Sequence, residues 1–173
     1  MGIGKTNKMM GSKAENTYSK FFVDLGFADC IPSRHISKKH DNAKIDLMNI
    51  PFNVQIKAGR QNNMNPGKEL LSMQHCIDLM FTKGEDAVTL RPNILLHSMS
   101  VERGVERLPE HEIVYMSLQQ FDIYRSEGSK MDYLSLKEFK FELNSEFKTI
   151  VCVTLEVFTK EIIIKHYQNG NYN

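Results

Sequence analysis

The sequence is poor in cysteine, and its three cysteines are widely spread. Cys30, Cys76 and Cys152 are 46 and 76 residues apart and form no CxxC pair. Zinc ribbons need closely spaced pairs, and disulfide-stabilised domains need an even number of cysteines. The spacing therefore argues against both classes and predicts reduced, buried thiols.

Long apolar runs and internal repeats are also missing. No segment approaches the roughly 18 apolar residues of a membrane-spanning helix, and the first ten residues, MGIGKTNKMM, lack the apolar core of a signal peptide. With 173 residues and 41% hydrophobic composition, the chain can bury one substantial core. We therefore expect a single soluble, intracellular domain with no membrane contact.

The net charge is only +1, but the charges are unevenly distributed. Residues 1–68 contain eleven Lys and Arg against five Asp and Glu, whereas residues 69–173 contain eleven against sixteen. The first region can therefore face phosphate groups. A solvated basic tail is the equally simple alternative.

The N-terminal region divides at Ser12. Residues 1–11 show no periodicity and are predicted to be a flexible basic arm. From Ser12, apolar residues recur at helical spacing until Gly26, which predicts an amphipathic helix with Glu15 beside its apolar stripe. An acid in a first turn commonly complements the helix dipole, so position alone gives Glu15 no catalytic role.

A cation-rich segment follows. FADCIPSRH predicts a short strand that ends at Pro32, and SRHISKKHDNAK predicts a polar loop. Its cations suit contact with a phosphate backbone, although an ordinary solvated loop has the same composition. The candidate DNA-binding residues in this loop are Ser33, Arg34, Lys38, Lys39 and Lys44.

The segment KIDLMNIPFNVQIK predicts a β-hairpin around NIPF. If opposed residue numbers sum to 101, Asp46 faces Gln55 and Lys44 faces Lys57. Because side chains alternate in strands, Asp46, Gln55 and Lys57 would share one face. The opposite, apolar face would hold Ile45, Leu47, Val54 and Ile56.

These polar groups suit phosphodiester hydrolysis. Hard cations such as Mg²⁺ prefer oxygen ligands, which Asp46, Gln55 and the backbone carbonyl of Ile56 can supply. Lys57 can orient the nucleophile or stabilise charge that develops on the phosphate. A solvent-facing hairpin is the ordinary alternative for such residues.

The remaining pattern predicts further α/β structure. Pro66 begins a predicted helix over residues 67–82, and strands are predicted over 93–99 and 111–118, the latter followed by a short helix. From about residue 131 the alternation of apolar and polar residues predicts a hairpin extension.

The order of these elements resembles the PD-(D/E)xK nuclease superfamily, particularly its Holliday junction resolvase-like branch and the Mrr-like enzymes that carry QxK. The resemblance covers roughly residues 11–83. It implies a restriction-endonuclease-like α/β core over residues 12–126, with a mixed central sheet flanked by helices in the order αβββαβ. Residues 127–173 would be a β-rich extension of the same domain.

The resemblance also implies roles for single residues. Glu15, Asp46 and Gln55 would hold the metal together with the Ile56 carbonyl, and Lys57 would be the catalytic lysine. Ser33 would lie near the scissile phosphate. Arg60 and Gln61, just beyond the lysine strand, are further candidates for contacting DNA, with surface decoration as the alternative.

Two positions depart from the family pattern. Ile45 stands where Pro or Gly often precedes the aspartate, and Gln55 replaces the usual acid, which should weaken metal binding. The resemblance implies a Mg²⁺-dependent DNA endonuclease, with Mn²⁺ as a substitute, in a bacterial or phage-infected cytoplasm. A structure-selective homodimer that resolves Holliday junctions is favoured; a restriction or repair endonuclease and an inactive DNA-binding accessory protein are the alternatives.

Overall fold

A mixed β-sheet organises the chain. The computed structural model describes residues 3–59, 64–99, 112–124, 137–143 and 146–168. The strands are β1 (Ile31–Pro32), β2 (Leu47–Met48), β3 (Asn53–Ala58), β4 (Asn93–Ser98), β5 (Glu112–Ser117), β6 (Lys137–Leu143) and β7 (Glu146–Thr154). The helices are α1 (Ile3–Asp24), α2 (Lys38–Asn42), α3 (Pro66–Met80), α4 (Leu118–Tyr124) and α5 (Leu155–Phe158), which continues as a π-helix over Thr159–Gln168.

In the described residues, seven strands form one sheet in the order β1-β2-β3-β4-β5-β7-β6. Strands β3 and β4 are parallel, with α3 between them in the chain, and the other neighbouring pairs are antiparallel. The predicted α/β class with a mixed, helix-flanked sheet is confirmed. The observed order α1, β1, α2, β2, β3, α3, β4 contains the predicted αβββαβ elements with the short helix α2 added between β1 and β2.

Two apolar clusters cover the two faces of the sheet. The first joins α1 and the C-terminal helical segment to β2, β3, β4 and β5, and it contains the fully buried rings of Phe22, Phe52, Phe121 and Phe158. The second packs Leu70, Met73 and Ile77 of α3 on Leu95. The central sheet is therefore buried from both sides, as expected for parallel strands in α/β folds.

The N-terminal helix is longer than predicted. It begins at Ile3, so residues 3–11, predicted to be a flexible basic arm without helical periodicity, are helical. The reason is that extending an existing helix costs far less than nucleating one, so polar residues without an apolar stripe can continue it. The helix ends as predicted near Gly26, which has a left-handed φ of 98°.

The predicted polar loop is partly helical. A 3₁₀ turn spans Ser33–His35, and α2 begins after Ser37, whose Oγ accepts a hydrogen bond from the backbone N of His40 at 3.3 Å. This capping hydroxyl satisfies a free N–H at the start of a helix of only five residues. A short capped helix has too few residues to produce a periodic pattern, which is why the sequence predicted a loop.

The C-terminal region joins the central sheet. Strands β6 and β7 form the predicted hairpin, and β7 pairs with β5. The helical segment after β7 was not predicted; it buries Phe158, Ile162 and Ile163 in the first cluster. Among the described residues, no helix is long and apolar enough to cross a membrane.

Candidate functional site

The β2–β3 hairpin has the predicted register. Leu47 pairs with Val54, so opposed residue numbers sum to 101. Both side chains are buried in the cluster that contains α1. Gln55 and Lys57 alternate to the other face, where they neighbour Leu95 and His97 of β4. The polar face of the hairpin is thus turned toward α3.

The first strand of the hairpin is shorter than predicted, and two residues are displaced. Lys44 has a positive φ of 62°, so the extended chain begins only after it. Ile45 consequently lies in the α3 cluster and not beside Leu47. The Nζ of Lys44 donates a hydrogen bond to Ser72 Oγ on α3 at 2.7 Å. The expected pairing of Lys44 with Lys57 is therefore wrong.

Asp46 is held by hydrogen bonds on three sides. Its N–H donates to the Val54 carbonyl at 2.7 Å, and its own carbonyl accepts from Ser33 N at 2.9 Å. Its Oδ2 accepts from Ile56 N at 2.6 Å. Because the N–H and C=O of one strand residue point to the same side, the Ile56 carbonyl is directed toward the Asp46 side of β3.

The environment of Asp46 disfavours its charge. The pKa of Asp46 is raised to about 7, chiefly by burial, and the carboxylates of Glu15 and Asp41 contribute to the increase. The Ile56 hydrogen bond and the Lys57 ammonium act in the opposite direction. A cation beside this carboxylate would offset the cost of ionising it.

Two predicted site residues have buried oxygen atoms without a hydrogen-bond partner. Gln55 is 6% exposed and Ser33 is fully buried. Among the described residues, neither Gln55 Oε1 nor Ser33 Oγ has a partner. An unsatisfied buried polar atom costs about 1–3 kcal/mol, so a ligand that supplied the missing contact would recover that energy.

Glu15 and Arg34 form an ion pair between α1 and the 3₁₀ turn. Arg34 Nη1 lies 2.5 Å from Glu15 Oε2, and its Nη2 donates to the Ser12 carbonyl at 3.0 Å and to Asn16 Oδ1 at 3.3 Å. Burial raises the pKa of Glu15, while Arg34 lowers it. In the free protein, the Arg34 guanidinium is held by Glu15 and its neighbours. It is therefore less available for the predicted contact with DNA.

Lys57 has an acidic partner that the sequence did not indicate. Its Nζ lies 3.1 Å from Glu69 Oε2 in the first turn of α3. In the sequence of α3, Glu69 directly precedes Leu70 and Ser72 directly precedes Met73, and both Leu70 and Met73 belong to the apolar stripe. Their position beside that stripe could have drawn attention to them, but, as for Glu15, position alone assigned no role and did not specify the strand that they face.

His97 is a second residue that the sequence did not single out. It neighbours Lys57 in the sheet and is buried. Its Nε2 lies 3.2 Å from the Gly59 carbonyl, which can only accept, so the proton is on Nε2. Burial lowers the pKa of His97, which favours the neutral ring beside the lysine.

The remaining DNA-binding candidates differ in their surroundings. Lys38 and Lys39 are exposed on α2. The Lys39 ammonium lies over the Phe81 ring, 4.2 Å from its centroid. Arg60 and Gln61 lie outside the described residues, so their predicted contacts stay predictions.

The donor set for a metal is unusual. Within the part of the chain that the structure describes, no group of three or more His, Cys, Asp or Glu side chains could hold a metal ion. A site at this position would depend on the Gln55 amide oxygen and the Ile56 carbonyl as well as on Asp46. The Gln55 oxygen, buried and unpartnered, fits such a role.

Comparison with known proteins returns no relative. No protein-family model matches the chain, and neither the curated proteins nor the solved structures contain a match.

Proposed function

We propose that the protein is a metal-dependent DNA endonuclease that hydrolyses phosphodiester bonds, with a PD-(D/E)xK-like site in its QxK form. The geometry that carries the proposal is the Asp46 carboxylate, which accepts from Ile56 N between Gln55 and Lys57 of β3, beside a buried Gln55 oxygen that has no partner among the described residues. The charges of Glu15 and Lys57 both act on the pKa of Asp46, which supports a site that includes these two residues.

The metal would be held by oxygen atoms from β3 and from the residue just before β2. Asp46, Gln55 and the Ile56 carbonyl are its proposed ligands, with Mg²⁺ as the ion and Mn²⁺ as a substitute. Glu15 would be a further ligand if its carboxylate bound the metal in addition to Arg34 or in place of it. A bound divalent cation would lower the pKa of a water molecule and offset charge on the phosphate in the transition state.

The other candidate residues would act on the DNA phosphate groups. Lys57 would stabilise charge on the phosphate or orient the attacking water, because its ammonium is a compact point charge on a flexible stem. Ser33 is fully buried in the free protein, so its unpartnered hydroxyl would donate to a phosphate oxygen only after DNA binding exposed it. Contacts with the DNA backbone position a protein on DNA without reading the base sequence. The residues proposed to make such contacts are Lys38, Lys39, Arg60 and Gln61.

Within this class we favour a structure-selective enzyme of the Holliday junction resolvase type. Such a junction requires paired nicks on two strands, which a symmetric homodimer with one site per subunit would supply. A restriction or repair endonuclease uses the same chemistry on linear DNA and is the nearest alternative.

The test is DNA cleavage in Mg²⁺ or EDTA by the native protein and by the Lys57→Ala variant. Cleavage should require the metal and fall about a hundredfold or more in the variant, because one electrostatic contact to the transition state is lost. Lys83→Ala, at an exposed lysine near the end of α3, is the matched control and should cut normally.

Branched, linear and single-stranded DNA should be compared in the same assay. Preferential cutting of the junction supports the resolvase assignment, and equal cutting of linear duplex supports the restriction or repair alternative. Full activity of Lys57→Ala would refute the catalytic assignment.

The second candidate is a DNA-binding protein that has lost catalysis. Two observations favour it: Gln55 replaces an acid, and Glu15 is already paired with Arg34. Binding to DNA without cutting in Mg²⁺ or Mn²⁺ would identify this function.

A further inference from the structure

The Lys57 ammonium has a well-placed partner outside the proposed metal site. The Lys57–Glu69 pair is partly buried, with the two side chains 26% and 29% exposed. Glu69 is held in the first turn of α3, where Asn65 Oδ1 accepts from Lys68 N at 3.0 Å and Pro66 begins the helix. The carboxylate therefore approaches Lys57 from a capped, rigid element.

A second carboxylate, that of Asp46, is bound to the residue before Lys57. Asp46 Oδ2 accepts from the backbone N of Ile56 at 2.6 Å, and the Lys57 charge acts to lower the pKa of Asp46. Lys57 nevertheless makes its ion pair with Glu69. A lysine stem is flexible enough to exchange one such partner for another. If the ammonium moved onto Asp46, it would occupy the carboxylate that the proposed metal needs.

We infer that Glu69 is a positioning residue: by holding the Lys57 ammonium on the α3 side, it leaves Asp46 open to a divalent cation. This inference rests on the proposed function. The residue acts through Lys57 and need not touch the metal or the DNA. Its removal should therefore weaken cation binding although it removes no proposed ligand.

The same helix provides a matched control. Ser72, three residues after Glu69, accepts a hydrogen bond from the other lysine of the hairpin region, Lys44. Ser72→Ala removes one lysine contact from the same face of α3 and leaves the Lys57–Glu69 pair intact. It should not alter cation binding, so it separates the specific effect of Glu69 from a general disturbance of the helix.

A double-mutant cycle on Mn²⁺ affinity tests the inference. Glu69→Gln should weaken Mn²⁺ binding at least about threefold in the native background and have no effect in the Lys57→Ala background. Glu69→Asp, which keeps the charge, should restore part of the affinity. Equal weakening in both backgrounds would mean that Glu69 acts as a ligand or through the fold, and would overturn the inference.

Side-chain NMR of the full-length, metal-free protein supplies a readout that needs neither metal nor catalysis. The Lys57 Cε and Nζ signals should report an ordered side chain in the native protein and in Ser72→Ala. In Glu69→Gln these signals should shift or gain mobility. Unchanged Lys57 signals in Glu69→Gln would refute the positioning role.

Cleavage kinetics separate this inference from the proposed function. Glu69→Gln should lower kcat at a fixed Mn²⁺ concentration near the native Kd and leave the KM for DNA unchanged, because it contacts no DNA. A native protein that neither binds Mn²⁺ nor cuts DNA would overturn both proposals. A native protein that does both, with Glu69→Gln indistinguishable from it, would overturn the inference alone.

Discussion

At the scale of single residues, the fold disfavours the negative charge of Asp46. Its carboxylate accepts a hydrogen bond from Ile56, yet burial raises the pKa of Asp46 to about 7. A carboxyl group whose pKa is higher in the folded chain binds its proton more tightly there than in the unfolded chain. Ionisation of Asp46 therefore destabilises the free protein, as is common for groups that serve a ligand.

This argument predicts how stability depends on pH. Below the ordinary pKa of 3.8, Asp46 is protonated in both states and costs nothing. As pH rises toward about 7, the unfolded chain loses its proton first, so the free energy of unfolding decreases. Above that range the penalty is constant.

Asp46→Asn should therefore stabilise the metal-free protein at pH 8 by on the order of 1–3 kcal/mol and have little effect at pH 4. Asparagine keeps an oxygen to accept the Ile56 N–H. Urea unfolding in EDTA at both pH values measures the difference. Asp29→Asn, at an exposed acid, is the control; an equal gain for Asp46→Asn at both pH values would contradict the assignment of its pKa.

At the scale of elements, Arg34 connects the 3₁₀ turn to α1. Its guanidinium contacts Glu15, the Ser12 carbonyl and Asn16. Ser33, the preceding residue, donates its N–H to the Asp46 carbonyl. The turn therefore joins the helix that carries Glu15 to the segment just before β2 that carries Asp46.

Arg34→Ala should lower the free energy of unfolding by about 1–2 kcal/mol, because it removes several charge-assisted hydrogen bonds from a partly buried site. Equilibrium unfolding in urea measures the loss. Lys20→Ala on the exposed side of α1 should change stability little. A loss for Arg34→Ala no larger than that of the control would show that the pair is structurally unimportant.

Several elements could be predicted because their signals are local. Apolar spacing identifies the helices around Phe22 and Met73, Gly26 marks a helix end, and the turn in NIPF sets the hairpin register that Leu47 and Val54 show. Helix α2 and the C-terminal helix were missed: the first is too short to be periodic, and the resemblance does not extend to the second.

At the scale of the whole molecule, the C-terminal region is part of the central structure. Strand β7 pairs with β5 along five residue pairs. The helical segment that follows it buries Phe158, Ile162 and Ile163. Fully burying an apolar side chain of this size contributes about 1.5–3 kcal/mol, so losing these residues would remove much of a typical domain's stability.

A chain that ends at residue 126 should consequently fail to fold. We expect an aggregated product, or one without a cooperative thermal transition by circular dichroism, because the edge of β5 and one apolar cluster would be exposed. A chain that ends at residue 168 is the control and should melt cooperatively. Cooperative melting of the shorter chain would show that residues 1–126 fold independently.

The sequence by itself determines which side chains of the hairpin share a face. Because side chains alternate along a strand, Gln55 and Lys57 lie on the same face whatever surrounds them. The surroundings depend on segments far away in the chain. Glu69 meets Lys57 because α3 packs on the sheet between β3 and β4 in the chain, and Arg34 meets Glu15 because the 3₁₀ turn packs against α1. Lys44 meets Ser72 because α3 covers the same face. These contacts form only when distant elements pack together, since no periodicity or propensity within a segment specifies the partner that another segment supplies.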